Sequence, residues 1–185
     1  ADKPKGDFKI DGAILFSFPE EDLVIIEHDW QTIMGKVREG KAHEISEGDT
    51  MYLAACTKGA NASSVRRQPF STTMAKQRAY SLKSSYMTQI LNKYIFGDVE
   101  SERIIKSLSS LHHYSFEECV IKRLVPFYGK TISQLRQICN ITSAAKNVNE
   151  LILAKMLGIE GKISQTEEFK KAGIVPKTIR IQNNG

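Results

Sequence analysis

The sequence predicts a mixed α/β protein of the α+β type, in which strands and helices occupy different parts of the chain. Hydrophobic residues make up 41% of the 185 positions and charged residues 25%, values typical of a folded globular protein. Up to Gly97, some segments repeat apolar residues with the period of a strand and others with the period of a helix. Beyond Gly97 the pattern is helical, except for one short segment near the end.

The first segments predict a strand followed by a long helix. Residues 8–18 alternate and then run apolar, so we expect a strand that stops before Pro19. Residues 21–39 repeat apolar side chains at helical spacing, and Gly40 stands where a C-terminal cap belongs. We interpret Trp30 as a core residue of this helix, because large aromatic side chains usually pack inside.

The middle of the chain predicts two strands joined by a long loop. Residues 51–56 and 77–83 suit strands, whereas residues 57–75 are polar and rich in turn-forming residues. A loop of this length in a folded domain is usually functional or mobile. A helix is predicted over 85–96.

The second half predicts five helices and a final edge strand. The predicted helices cover residues 101–111, 115–127, 131–139, 147–157 and 164–172, and the strand covers 174–181. We divide the chain into a first domain at 1–97, a helical linker at 98–130 and the start of a second domain at 131–185. Because the last strand has no following partner in the sequence, we expect the chain to be part of a longer protein.

Basic residues are concentrated in one quarter of the chain. Asp49 and Asp98 enclose 48 residues without any Asp or Glu, while the whole chain has a net charge of +5. This segment contains seven cations: Lys58, Arg66, Arg67, Lys76, Arg78, Lys83 and Lys93. Such an asymmetry predicts a polyanionic partner, with a solvated basic loop as the alternative that charge alone leaves open.

Cysteine usage and hydropathy restrict the other function classes. Cys56, Cys119 and Cys139 are far apart and form no CxxC pair, so we expect ordinary thiols and no metal site. The sequence has no run of 18 apolar residues and no apolar segment at its start, so we expect a cytoplasmic protein without a membrane partner.

The long loop and the strand after it carry the groups that a DNA-reading surface needs. Cations neutralise phosphates, small polar groups fix the register, and rigid donors and acceptors reach base edges. We expect Lys58 to read guanine, Asn61 to read adenine and Gly59 to allow close approach of the backbone. The DNA-binding candidates are Lys58, Gly59, Asn61, Arg66, Arg67, Arg78, Ser81 and Lys83, with the three Arg and Lys83 assigned to phosphates.

Two motifs resemble the C-terminal half of the MutH family, and are closest to its GATC-specific type II restriction endonucleases. They are DWxxI…GKxHExSEGDTxYLxxCTKGAN from Asp29 to Asn61, and QPFS…AKQRAYSLKSSYMTQIL from Gln68 to Leu91. The resemblance implies part of a PD-(D/E)xK, MutH-like restriction-endonuclease fold, in an arm that holds DNA and reads GATC. MutH carries Tyr at the position of Ser81, which implies weaker discrimination against methylated adenine here. A register slip of one would place Tyr80 there instead.

A second segment, residues 147–180, resembles the N-terminal half of the same family. The positions that align with its catalytic carboxylates and lysine are Ala154, Glu168, Val175 and Lys177. The resemblance therefore implies a degenerate copy with neither catalytic nor metal-binding residues, in which we interpret Glu168 and Lys177 as solvated surface residues. Mg²⁺ is expected for the intact enzyme, with its carboxylates upstream of Ala1, and not for this chain.

The leading hypothesis is the DNA-recognition portion of a type II restriction endonuclease that cleaves at GATC, in which this chain binds double-stranded DNA without cutting it. One alternative is a MutH-like DNA-binding or regulatory module with no nuclease activity. Another is a protein-interaction module formed by the helices at 101–157. The sequence leaves homodimer formation open.

Overall fold

The computed structural model describes residues 9, 12–61, 63–98, 100–143 and 146–179. Its first helix, α1, spans Glu20–Arg38, with acidic residues in the first turn and basic residues in the last, as the helix dipole favours. Gly40 follows in a left-handed conformation at φ +74°. A Cβ atom there would lie 2.7 Å from the carbonyl oxygen of Phe70, so glycine permits both the helix end and a close chain crossing.

The buried face of α1 differs from the one that its spacing predicts. Ile25, Asp29 and Ile33 are buried, and they lie along one stripe of the helix. Trp30 is 39% exposed, so its interpretation as a core residue is wrong. The reason is geometric, because adjacent helical residues point about 100° apart and Asp29 already occupies the inward direction.

Among the described residues, four strands form two separate antiparallel pairs. Strand β1 (Leu53–Thr57) pairs with β4 (Arg78–Leu82), and β2 (Val65–Gln68) pairs with β3 (Ser71–Lys76). The prediction of a loop over 57–75 is therefore wrong for most of its length. The hairpin of β2 and β3 buries only Gln68 and Ala75. Its other side chains are mostly polar or charged, so the sequence lacks the apolar–polar alternation that predicts a strand.

The two outer strands that the sequence predicts do not form within the described residues. In segment 8–18 the described residues, 9 and 12–18, carry no strand, and neither do residues 174–179 of segment 174–181. The remaining residues of both segments lie outside the described part. Phe16 of the first segment packs against an aromatic ring instead, since the centroids of the Phe16 and Tyr94 rings lie 5.2 Å apart.

Six further helices follow the first sheet pair. They are α2 (Ser84–Tyr94), α3 (Leu108–His113), α4 (Phe116–Leu124), α5 (Ile132–Ile138), α6 (Val148–Met156) and α7 (Glu167–Ala172). Short 3₁₀ turns occur at Ala42–Glu44, Glu47–Asp49, Val125–Phe127 and Ile163–Gln165. The helix predicted at 101–111 begins only at Leu108, because the amides of Ile104 and Ile105 donate to the Glu168 carboxylate.

One large core joins the three segments of the predicted domain division. Tyr86 from the first segment, Ile104 from the second and Leu157 from the third belong to the same buried cluster. A smaller cluster of Ile33, Ile45 and Ala55 lies beneath β1. The packing does not separate the segments, so the boundaries near 97 and 130 stay a prediction. The α+β fold is confirmed, and no described helix is long and apolar enough to cross a membrane.

Candidate nucleic-acid interface

The Asp29 carboxylate fixes the start of strand β1. It accepts backbone hydrogen bonds from Met51 at 2.7 Å, Tyr52 at 2.6 Å and Leu53 at 2.8 Å. Burial raises the pKa of this carboxyl, although the three amide donors and the Lys83 charge act in the opposite direction. The first residue of the DWxxI motif therefore positions the strand that leads to the basic loop.

The loop after β1 is held in a defined shape. The Lys58 amide donates to the Gln77 carbonyl at 2.7 Å, which extends the pairing of β1 with β4 by one bond. The Asn61 side-chain oxygen accepts from the amide of Ser63 at 3.1 Å and from its hydroxyl at 2.6 Å. Gly59 has φ +137°, and a Cβ there would lie 2.3 Å from the Cβ of Ser64. Glycine is therefore required at this crossing.

A small basic cleft lies between this loop and strand β3. Its volume is about 160 Å³, and its wall contains Thr57, Lys58, Gly59, Asn61, Ser64 and Lys76. No carboxylate lines it. Lys76 was counted among the cations of the sequence but was not predicted as a site residue. The bond from the Lys58 amide to the carbonyl of Gln77, the residue after Lys76, brings Lys76 beside the loop.

The β2–β3 hairpin divides its two arginines between its faces. Cross-strand pairing sets Val65 opposite Lys76 and Arg67 opposite Met74, so these four side chains share one face. Arg66 lies opposite Ala75 on the other face, and Ala75 is buried. Both arginines and Lys76 are exposed. The face of Arg67 therefore points outward from the protein.

Four of the seven cations in the acid-free segment are unpaired. Among the described residues, Lys58, Arg66, Arg67 and Lys76 have neither an ion pair nor a side-chain hydrogen bond within the protein. We call these four residues the basic face, in which Lys58, Arg67 and Lys76 lie on the loop and the outward side of the hairpin and Arg66 lies on the hairpin's other side. By contrast, Lys93 forms an ion pair with Glu100 at 2.8 Å. The free cations thus all lie on the loop after β1 and on the β2–β3 hairpin, and two of them, Lys58 and Lys76, line the same cleft.

Arg78 and Lys83 use their charged groups inside the protein. Arg78 donates to the carbonyl oxygens of Ala55, at 2.7 Å, and Ile45, while the Lys83 amine donates to the carbonyl of Thr50. Burial lowers the pKa of Lys83, and the Asp29 carboxylate opposes that shift. These bonds tie the sheet to neighbouring turns. A phosphate contact by either residue would require some of them to break.

Ser81 lies on a different surface from the basic face. Its hydroxyl is 2.8 Å from the sulfur of Cys56, and it pairs across the strands with Ala54. Ala54 and Cys56 line a broad cleft of about 1210 Å³, whose wall also holds the carboxylates of Asp29, Glu47, Asp49 and Glu117. Neighbouring Tyr80 points to the opposite face of the sheet and is 49% exposed. Whether Ser81 or Tyr80 aligns with the MutH tyrosine therefore decides which of two different surfaces carries that position.

The positions aligned with catalytic residues do not form a metal site. Glu168 is 1% exposed, so its interpretation as a solvated surface residue is wrong, and both its oxygens accept backbone amides from Ile104 and Ile105. Ala154 is buried in the core, whereas Lys177 is exposed, as expected. Within the described part of the chain, no three His, Cys, Asp or Glu residues are placed to hold a metal. These residues do not fit Mg²⁺.

Comparison with known proteins agrees with the resemblance seen in the motifs. No family model matches the chain. The type II restriction enzyme Sau3AI of Staphylococcus aureus is 42% identical over 186 aligned positions, which cover 96% of this chain and 38% of that enzyme. DNA mismatch repair protein MutH of Shewanella baltica is 29% identical over 97 positions, which cover 51% of this chain and 43% of MutH. This chain is therefore a relative of the restriction enzyme Sau3AI and of the MutH proteins, and it spans less than half the length of either.

Proposed function

We propose that this chain binds duplex DNA at GATC sites through the basic face. The observation that carries the proposal is a set of four unpaired cations on the loop and the hairpin, whereas the other cations in the same segment are bonded to the protein. The four are Lys58, Arg66, Arg67 and Lys76. Unpaired cations around a cleft that no carboxylate lines are suited to phosphates. The similarity to two kinds of DNA-processing protein supports DNA as the polyanion.

Within this face, the loop supplies the base-reading groups. Lys58 can donate to guanine O6 and N7, and the Asn61 side-chain NH₂ can donate to adenine N7. The two hydrogen bonds from Ser63 hold the Asn61 side chain in one orientation before any DNA arrives. Such preorganisation reduces the entropy lost on binding. Arg66 and Arg67 then serve as phosphate contacts, while Arg78 and Lys83 support the sheet and contribute charge from behind it.

The complete protein in this proposal is a type II restriction endonuclease that hydrolyses phosphodiester bonds with Mg²⁺. The present chain supplies recognition, because the positions aligned with catalytic residues hold a core alanine and a buried, fully bonded Glu168. Catalytic carboxylates and the Mg²⁺ that they hold would belong to other parts of that protein. Formation of a homodimer stays a prediction.

The proposal is tested by fluorescence anisotropy with two labelled duplexes of equal length and composition. One contains GATC and the other contains GTAC at the same position, both in low salt. We expect the chain to bind the GATC duplex at least tenfold more tightly, without cleaving it when Mg²⁺ is added. Equal affinity would contradict sequence reading, and no binding to either duplex would contradict DNA binding itself.

A further inference from the structure

The outer face of the β2–β3 hairpin combines exposed apolar and cationic side chains. Val65 is 45% exposed and Met74 is 46% exposed, and neither side chain belongs to a buried hydrophobic cluster or packs against one. Cross-strand pairing places Val65 opposite Lys76 and Arg67 opposite Met74. The two apolar side chains and the two cations therefore occupy alternate corners of one small, solvent-facing surface.

We propose that this two-stranded ribbon lies in the major groove of the bound duplex, with Val65 and Met74 against the methyl groups of thymine. The inference rests on the proposed function and specifies which surface meets the base edges. Arg67 and Lys76 reach the phosphates that border the groove, one from each strand of the ribbon.

The dimensions of the ribbon match this groove. The major groove of B-form DNA is about 12 Å wide and admits a two-stranded β-ribbon. Strands of a ribbon lie about 4.8 Å apart, so the longer Arg67 and Lys76 side chains extend beyond the ribbon on both sides. Val65 and Met74 are shorter and uncharged, which suits them to the floor of the groove.

The apolar corners identify the kind of base edge that the ribbon contacts. The thymine methyl is the apolar group that base pairs present in the major groove, and GATC carries one thymine in each strand. A protein partner would also cover apolar side chains. However, a surface with two free cations and no acidic residue between Asp49 and Asp98 is complementary to a polyanion.

The ribbon is presented rigidly, as groove binding requires. The Gln68 side chain is buried, donates to the Thr73 carbonyl at 2.7 Å and accepts from the Ala42 amide at 3.0 Å. The turn at Phe70 crosses close to Gly40 at the end of α1. One end of the ribbon is thus fixed to the body of the protein, while its outer face stays open.

The test uses a GATC duplex whose flanks contain only G·C pairs, so that its two thymines carry the only methyl groups. Replacing both thymines by uracil removes those methyls without changing base pairing. Anisotropy titrations of the 185-residue chain measure both duplexes. We expect the uracil duplex to bind about fourfold more weakly for each methyl that the ribbon buries. The variant Met74→Ser is expected to bind the thymine duplex more weakly and to lose the fourfold share of one methyl, while Val65 keeps the share of the other.

The control is Met87→Ser, because Met87 is a methionine of similar exposure, 42%, on helix α2. It should keep the parent's preference for thymine. Equal binding of both duplexes by the parent, or the same preference in Met74→Ser, would overturn ribbon insertion while leaving GATC binding intact. Loss of binding to every duplex would overturn the proposed function as well.

Discussion

The Lys171 amine lies 2.6 Å from a carboxylate oxygen of Asp22, across 149 positions of sequence. Both side chains are almost fully buried, and the Tyr86 hydroxyl donates to the same Asp22 oxygen at 2.9 Å. Glu167 lies 2.6 Å from the same amine. This buried ionic group joins α1 and α2, next to the β1–β4 pair, to α7 in the segment that resembles a second MutH copy.

Removing the Lys171 charge is expected to destabilise the whole chain. In Lys171→Met, the buried Asp22 carboxylate loses its closest cation, which typically costs about 3–5 kcal/mol. Urea unfolding followed by circular dichroism measures the loss. Lys106→Met is the control, since Lys106 is 63% exposed and 3.9 Å from its carboxylate partner. A Lys171→Met variant as stable as this control would show that the buried pair contributes little.

Glu168 provides a direct test of a structural role against a catalytic one. In Glu168→Ala, the buried amides of Ile104 and Ile105 lose their acceptor, at about 1–3 kcal/mol for each unsatisfied group. We expect a clearly lower urea midpoint and unchanged DNA affinity under conditions where the variant is folded. Unaltered stability together with altered DNA affinity would instead place Glu168 at the interface.

The motifs that resemble the MutH family lie on β1, the loop after it and β4, so the sequence alone indicates where the proposed recognition region lies. The Asp29 carboxylate connects two parts of the first motif, because it accepts hydrogen bonds from three backbone amides at the start of β1. The hairpin could not be predicted. Its residues are mostly exposed and polar, so their alternation carries no hydrophobic signal.

Long-range contacts account for the other differences from the sequence predictions. Arg78 and Lys83 look like phosphate ligands by charge, yet their partners are carbonyls 23 and 33 positions away in sequence. Glu168 looks like a surface residue by its position among lysines, yet it bonds amides more than 60 positions upstream. Residue type indicates what a side chain can bind, whereas the fold decides which partner is within reach.

Two substitutions on the basic face should have different effects. Lys58→Ala is expected to cost about 1–3 kcal/mol on GATC and to flatten sequence preference, because the lysine reads a base edge. Arg67→Ala is expected to weaken binding to all sequences alike and to lower the salt slope by about one, because the arginine contacts a phosphate. Titrations of GATC and GTAC duplexes at several salt concentrations separate the two. Parent-like binding by both variants would refute the assignment of the loop and hairpin.

Ser81 lies on a different surface from the basic face, so it acts on methylated adenine only where the bound duplex extends past the end of the β1–β4 pair to the cleft beside Cys56. The small hydroxyl leaves space for an N6-methyl group, so we expect similar affinity for methylated and unmethylated GATC. Ser81→Tyr is expected to favour the unmethylated duplex by about tenfold, on the scale of one base-edge contact. Tyr80→Ser is the control, because Tyr80 lies on the opposite face of the sheet. If Tyr80→Ser alone changes the ratio, the reading face is the one that carries Tyr80.

The dependence of DNA affinity on salt tests the central claim most directly. Three cations are assigned to phosphates, Arg66, Arg67 and Lys76, and together they should give a slope of log affinity against log salt of about −2.7. A variant with Lys58, Arg66, Arg67 and Lys76 all changed to Gln should bind with a slope near zero. A parent slope near zero, or an unchanged slope in this variant, would contradict DNA binding through the basic face.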